Sequence, residues 1–372
     1  MTEQEIIYTI ALTRIPRVNC ATQHALLSKL GSATAVFEAR KNIRDLYPEA
    51  SEKLAEALAG MEQQTERAEQ ELEFATRNRI QCLCLHDAGY PQRMRECSDA
   101  PLILYYRGNA DLNRAHVVSM VGTRKCTEYG KDICRHFMAE LKRLCPDILV
   151  VSGLAYGIDI HSHREALANG LDTVGVLAHG LDRIYPTVHR NTAVEMTSHG
   201  GLLTEFTSGT NADKVNFIRR NRIVAGIADA TIVVESAEKG GALITADIAS
   251  SYHRDVFAFP GRVTDQYAQG CNRLIRDSRA ALLQSAEDFL LAMGWQMQSA
   301  AKPDESTQPT LFPALSPEEQ LIADVLSKAE SMQIDRLAVE TNLPVHRLSS
   351  FLFNLEMKGV VRLMNGGMYR LS

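Results

Sequence analysis

Val117-Val-Ser-Met-Val-Gly-Thr-Arg124 and Ile148-Leu-Val-Val-Ser-Gly-Leu-Ala-Tyr-Gly-Ile-Asp159 follow one scheme: a short apolar run, a glycine turn, and then the start of a helix. Strands that stay apolar without alternation need cover on both faces. The scheme extends to Val174-Gly-Val-Leu177, Leu202-Leu-Thr204, Thr231-Ile-Val-Val234 and Val256-Phe-Ala-Phe259, with helical stretches such as Cys126 to Leu144 and one ending at Asn169 between them. Apolar strands alternating with helices predict a parallel sheet covered on both sides, a doubly wound α/β fold.

Other patterns flank this middle portion. Residues 1 to 62 read as a small helical domain with helices at Glu5 to Thr13 and Thr22 to Leu30, a turn over Arg14-Ile-Pro-Arg-Val18 and a stop at Gly31-Ser32. A charged helix to Arg77 and a strand near Ile80 to Leu85 then open the α/β domain, 63 to 297. Residues 298 to 317 turn to Ala, Lys, Pro, Asp, Ser, Thr and Gln and read as a linker. Beyond it, helices near Glu318 to Ala329, Ile334 to Thr341 and Val345 to Lys358 precede a ribbon turned at Asn365-Gly366. Three helices and a hairpin predict a winged-helix module over 318 to 372, whose recognition helix offers only Arg347 and Lys358.

The chain has 372 residues, 45% of them hydrophobic, and a formal net charge of −5. An acidic balance argues against non-specific coating of duplex DNA, which needs a broad basic surface. Any nucleic-acid site is therefore local. Met1-Thr-Glu-Gln-Glu5 lacks a basic leader and no apolar run reaches bilayer length, so a cytoplasmic protein without a membrane segment is expected. The eight cysteines include no CxxC pair and read as reduced, mostly buried thiols. Asp159-Ile-His-Ser-His163 alternates carboxylate and imidazole, but at the start of a helix those side chains diverge, so no metal is expected there.

Ligands of doubly wound sheets sit beyond the carboxyl ends of the strands. Gly122, Thr123 and Arg124 offer a close backbone approach, helix-start amides and a guanidinium for a phosphate, and Ser152 with Gly153 offers a second anion cradle. Neither loop fits GxxxxGK[ST] or GxGxxG, so ATP hydrolysis and dinucleotide chemistry lose their support, and no cofactor is expected. Glu205, Glu235, Asp159, Asp182 and His163 stand near strand ends without acid–base spacing and read as caps and ion-pair partners.

The stretch Lys214-Val-Asn-Phe-Ile-Arg-Arg-Asn-Arg222 gathers cations around one aromatic ring. At about 100 degrees per residue, Phe217, Arg220 and Asn221 share a helical face, Lys214 sits at its leading edge, and Arg219 lies roughly opposite. Such a face can stack a base while holding its phosphates.

The ordered motifs resemble those of the DNA-processing protein A family, also called DprA or Smf. They are Tyr90-Pro91 with Pro101-Leu-Ile-Leu-Tyr-Tyr-Arg-Gly108, Val121-Gly-Thr-Arg124, Ser152 to Asp159 with His163, and Gly180-Leu-Asp-Arg-Ile-Tyr-Pro186 with Asn191. Gly201 to Glu205, Phe217 to Arg222, Gly241 to Ala246, Phe259-Pro-Gly261 and Gly270 to Ile275 complete the series. The resemblance implies an extended Rossmann-like fold with a helical domain (SAM or helix-hairpin-helix-like) before it and a winged helix after it. It also implies a homodimer that binds single-stranded DNA, loads the recombinase RecA in natural transformation, meets single-strand-binding protein, and is no enzyme. The family's DNA contacts fall here on Arg124, Lys214, Phe217, Arg220, Asn221 and Arg222, the last chiefly by resemblance. Ile218 stands where the family usually has proline, Ser162 where it has alanine, and Lys239-Gly240 alters the approach to the next helix; these are expected to modulate binding. Two rivals stand beside this reading: a Rossmann-like enzyme acting on a nucleotide or nucleoside phosphate, and a duplex-DNA regulator or scaffold acting through its terminal domains.

Overall fold

The computed structural model describes residues 1–16, 18–297, 315–329, 331–364 and 368–371. Most of the expected linker, the Asn365-Gly366 turn and Arg17 lie outside them. The chain divides into two compact units, 1–300 and 301–372.

The first unit is built on a nine-stranded sheet. Its strands are β1 (Gln81–Cys84), β2 (Ile103–Gly108), β3 (Val117–Val121), β4 (Leu149–Ser152), β5 (Thr173–Val176), β6 (Gly200–Thr204), β7 (Ala230–Val233), β8 (Asp255–Ala258) and β9 (Ala281–Leu282). Their spatial order is β1-β2-β6-β5-β4-β3-β7-β8-β9, antiparallel from β1 to β6 and parallel from β6 to β9. From β3 the chain winds outward through β4, β5 and β6, then returns to lay β7 on the other side of β3. That reversal makes the sheet doubly wound, as the alternating apolar runs predict.

Two strands go beyond the sequence reading. β2 lies in a tyrosine-rich segment between turns, where Tyr105 and Tyr106 are nearly fully buried and the Tyr106 hydroxyl donates to the Gly200 carbonyl at 2.8 Å. β9 has only two residues, too few for a pattern.

Helices Glu3–Thr13, Cys20–Leu30 and Ala33–Ala39 start at capping side chains, from Thr2, Asn19 and Ser32. Glu5 also accepts the amides of Ala33 and Thr34 at 2.6 and 2.9 Å, which joins the first helix to the third. Ile10, Leu12, Leu26 and Val36 share one apolar core with Ala68 and Ala75 of the helix Thr65–Arg77 and with Leu83 and Leu104 of the sheet. All eight cysteines are free thiols, and burial pushes Cys134 and Cys271 up to about 12, so they stay protonated at neutral pH.

The second unit holds helices Pro317–Leu326, Ile334–Thr341 and Val345–Met357 around Ile322, Leu337, Leu348, Leu352 and Leu355. Ser316 and Glu319 form a reciprocal capping box at its start. Strands β10 (Met332–Gln333), β11 (Val361–Met364) and β12 (Met368–Leu371) form a sheet in the order β10-β12-β11, so the expected ribbon gains a third strand. No described helix is long and apolar enough to cross a membrane.

Candidate nucleic-acid interface

Where the winding reverses, between β3 and β7, the two following loops part and leave a crevice, as open α/β sheets do. A cleft of about 930 Å³ lies there. Its walls are the loop after β3 (Gly122, Thr123 and Arg124), the helix Lys214–Gly226, and the segment Ser236–Thr245 after β7.

The helix starts at Lys214, where the amide of Phe217 reaches back to the Asp213 carbonyl at 3.1 Å, so Phe217 and Ile218 lie in its first turn. Lys214, Phe217, Arg220 and Asn221 all line the cleft. The half-buried Phe217 ring has the Arg124 guanidinium at 4.9 Å from its centre and the Tyr185 ring at 6.0 Å. Arg124 and Lys214 are exposed, and neither forms an ion pair among the described residues. Two cations without ion-pair partners among the described residues therefore share the cleft with a partly open ring. Tyr185, 47% exposed, was not singled out from the sequence; its only signal was its place in the Gly180–Pro186 motif.

Arg220 is the cleft's floor and is only 4% exposed. Its Nη1 lies 3.9 Å from Asp159 Oδ2, and its Nε has no partner among the described residues. Asp159 also accepts the amides of Ala155 and Gly153. Burial pushes the Asp159 carboxyl upward against the pull of Arg220, and burial likewise pushes Arg220 downward although Asp159 opposes it. Arginine keeps its proton under any folding condition, so the floor holds a buried guanidinium paired with the Asp159 carboxyl.

The remaining expected site residues lie elsewhere. Ser152 is buried and its Oγ donates to the Met120 carbonyl at 2.6 Å, so it ties β4 to β3 instead of cradling an anion. A Cβ on Gly153 would fall 1.4 Å from Arg220 Nη1, so this glycine gives the guanidinium its space from below. Gly157, at φ +77, lets its loop pass within a Cβ's reach of the Thr123 carbonyl, closing the two glycine loops on each other. The Thr123 amide is taken by the Glu235 carbonyl at 2.8 Å, so Gly122 and Thr123 line the cleft while Arg124 is that loop's charged group. Arg222 points away from the cleft, with Nη2 at 2.5 Å from Glu205 and Nη1 bonded to the Asp99 carbonyl. Arg219 also faces Glu205, opposite Phe217, as the helical wheel predicts. Glycines mark where backbones approach; they do not say whether the guest is a ligand or another loop.

The other carboxylates have structural work. Glu235 accepts the Thr127 amide and hydroxyl, fixing the cap of the helix Glu128–Leu144, and Asp182 holds Arg183 and the Gly209 amide. His163 is fully buried with Nδ1 at 2.6 Å from the Thr173 hydroxyl, and burial, helped by the charge of Arg220, pushes its pKa down to about 3. The folded state thus holds the neutral ring, while the unfolded chain takes a proton below about 6.5. Stability from this group is present above pH 6.5 and is lost, at about 1.4 kcal/mol per pH unit, as pH falls towards 3. The urea midpoint of His163→Gln should accordingly fall less steeply between pH 6 and 4 than that of the wild type; parallel curves would show that His163 does not cause the acid sensitivity.

Residues 81–294 match the family model of DNA recombination-mediator protein A, and residues 302–367 match that of the DprA winged helix domain. Protein Smf of Escherichia coli is 32% identical over 286 residues, covering 76% of this chain and 75% of that protein. The X-ray structure of DNA processing protein A from Streptococcus pneumoniae superposes with a TM-score of 0.63 at 29% identity, covering 77% of this chain and 96% of that one. DNA processing protein A from Helicobacter pylori, whose structure was described for its single-stranded DNA binding mode, gives 0.52 at 27% identity over 57% of this chain and 95% of that one. Two family models matched in chain order, on a fold shared with these relatives, establish that the chain belongs to the DNA recombination-mediator protein A family.

Proposed function

We propose that the cleft at the β3–β7 reversal holds single-stranded DNA, and that Gly122, Thr123, Arg124, Lys214, Phe217, Arg220 and Asn221 form the contact surface. The observation that carries this reading is the partly open Phe217 ring in a cleft shared with Arg124 and Lys214, two cations without ion-pair partners among the described residues. The Arg124 contact with the ring is worth only about 0.5–1 kcal/mol at an exposed site. Stacking a base there contributes roughly 1–3 kcal/mol, so a strand can take the ring while Arg124 moves to a phosphate. The H. pylori relative supports single-stranded DNA as the ligand. In the cell, the protein delivers strands to RecA during natural transformation, working as a cytoplasmic homodimer alongside single-strand-binding protein and catalysing no reaction itself.

The rival readings have less to work with. An enzyme acting on a nucleotide needs a free acid or base in the cleft, and Asp159, Asp182 and Glu235 are engaged as ion-pair partners or caps, while Glu205 does not line it. A duplex reader needs free cations on its recognition helix. Arg347 instead lies 4.0 Å from Glu318, and Lys358, just past the helix, bonds Glu319 at 2.7 Å.

Fluorescence anisotropy with a labelled thymidine 20-mer across a salt series tests the proposal. Arg124→Ala and Lys214→Ala should each weaken binding and lower the slope of log affinity against log salt by about 0.7, the single-strand value per released counterion. Duplex and mononucleotide competitors should displace the 20-mer poorly. Wild-type affinity in both variants would remove the cleft from the account.

A further inference from the structure

The helix Lys214–Gly226 has a second cavity on its other side. It encloses about 830 Å³ and is lined by Arg14 after the first helix, by Glu205 and Phe206 after β6, and by Asn216, Arg219 and Arg222 of the helix. That volume falls within the usual range of small-molecule pockets. Two residues of its wall each keep a buried polar atom without a partner among the described residues. Glu205 Oε2 takes Arg222 at 2.5 Å and Arg219 at 3.5 Å, but Oε1 has no partner among the described residues although the side chain is only 8% exposed. Across the lining, Arg14 Nη1 donates to the Thr207 hydroxyl at 3.1 Å while its buried Nε has no partner among the described residues. Arg219 stands more open, 55% exposed, with its guanidinium 5.3 Å from the centre of the Phe206 ring.

A buried carboxylate oxygen without a donor is costly to leave unmatched. It selects a ligand with N–H groups at one end, and the nearby guanidinium selects an anion at the other. We propose that this cavity is a second nucleotide subsite, in which the donor edge of a guanine base meets Glu205 Oε1 and the phosphate meets Arg219. Guanine presents N1–H and N2–H side by side, and the two can converge on the one carboxylate oxygen left free, since Oε2 already holds Arg222 and Arg219. Thymine offers a single N3–H between two carbonyls, which would face the carboxylate unfavourably. The subsite stands apart from the Phe217 cleft and does not rest on it, since Arg219 and Glu205 are absent from that cleft's lining.

The same chemistry is supplied by a free nucleotide or by one guanine within a strand. Calorimetric titration of the full chain with GMP addresses the first source; anisotropy with a thymidine 20-mer carrying one central dG, against the all-thymidine 20-mer, addresses the second. Binding of GMP, a preference for the dG-containing strand, or both is expected, with at least a fivefold loss in Glu205→Gln and in Arg219→Ala. Glu205→Gln places a donor where the acceptor stood. Arg219→Ala alters an exposed side chain and keeps the test valid should the Glu205 variant fold poorly. No GMP binding at millimolar concentration together with no dG preference would overturn the proposal, as would binding that survives both substitutions. A thymidine strand that ignores Phe217 would refute the first cleft, and leave this result to be read by itself.

Discussion

Phe217→Ala is expected to weaken binding of a thymidine 20-mer by roughly five-fold to more than a hundred-fold, corresponding to a loss of about 1–3 kcal/mol of stacking. The ring is half-buried at the start of its helix, so its removal leaves the helix and the core beneath it largely intact. Its partners define what is lost. Arg124 lies over the ring, and Tyr185 stands near it at an inclination of 58°, so on the proposed reading a strand would meet two aromatic groups. Phe217→Trp, which keeps a larger π-face, should retain most of the affinity. The thermal midpoint of Phe217→Ala should stay close to wild type while the affinity falls; an affinity within twofold of wild type would mean that the strand does not stack here.

Asp159→Ala is expected to have the largest effect on stability of any substitution in the cleft. It leaves the guanidinium of Arg220, 4% exposed, without its counter-charge, a change that costs about 3–5 kcal/mol in comparable buried pairs. Against a total stability of roughly 5–15 kcal/mol, that brings the fold close to its limit. The ion pair itself is not the source of stability, because a matched apolar pair often does as well. Asp159→Leu combined with Arg220→Met should therefore recover most of the urea midpoint lost by the single variant, and its oligonucleotide affinity should stay below wild type because the Arg220 guanidinium is gone. A single variant as stable as the wild type would show that Arg220 finds water or another partner.

The parallel portion of the sheet was legible because strands such as Val117–Val121 and Ala230–Val233 are apolar on both faces, a pattern that only a covered sheet accommodates. The face bearing Phe217, Arg220 and Asn221 was legible because helical periodicity fixes relative direction within one element. Long-range relations were not. Nothing local shows that Ser152 would be used between β4 and β3, or that Gly153 would make room for Arg220 from another element. Arg222 was expected at the site through family resemblance, whereas its partner Glu205 becomes visible only when β6 and the helix are packed together. Tyr185 reaches Phe217 from a loop 32 residues earlier in the chain (217 − 185), a separation that no periodicity spans. The tally of cations in 214–222 therefore overstated the cleft: Arg219 and Arg222 belong to its far side.

Photocrosslinking measures the contact at the cleft most directly. A thymidine 20-mer carrying a single 5-iodouracil, irradiated with the 372-residue chain and digested, should yield its principal adduct on the peptide containing Phe217, with Tyr185 as the secondary site. Adducts confined to residues 318–372, with none on either aromatic residue, would contradict the account and place the strand on the winged helix.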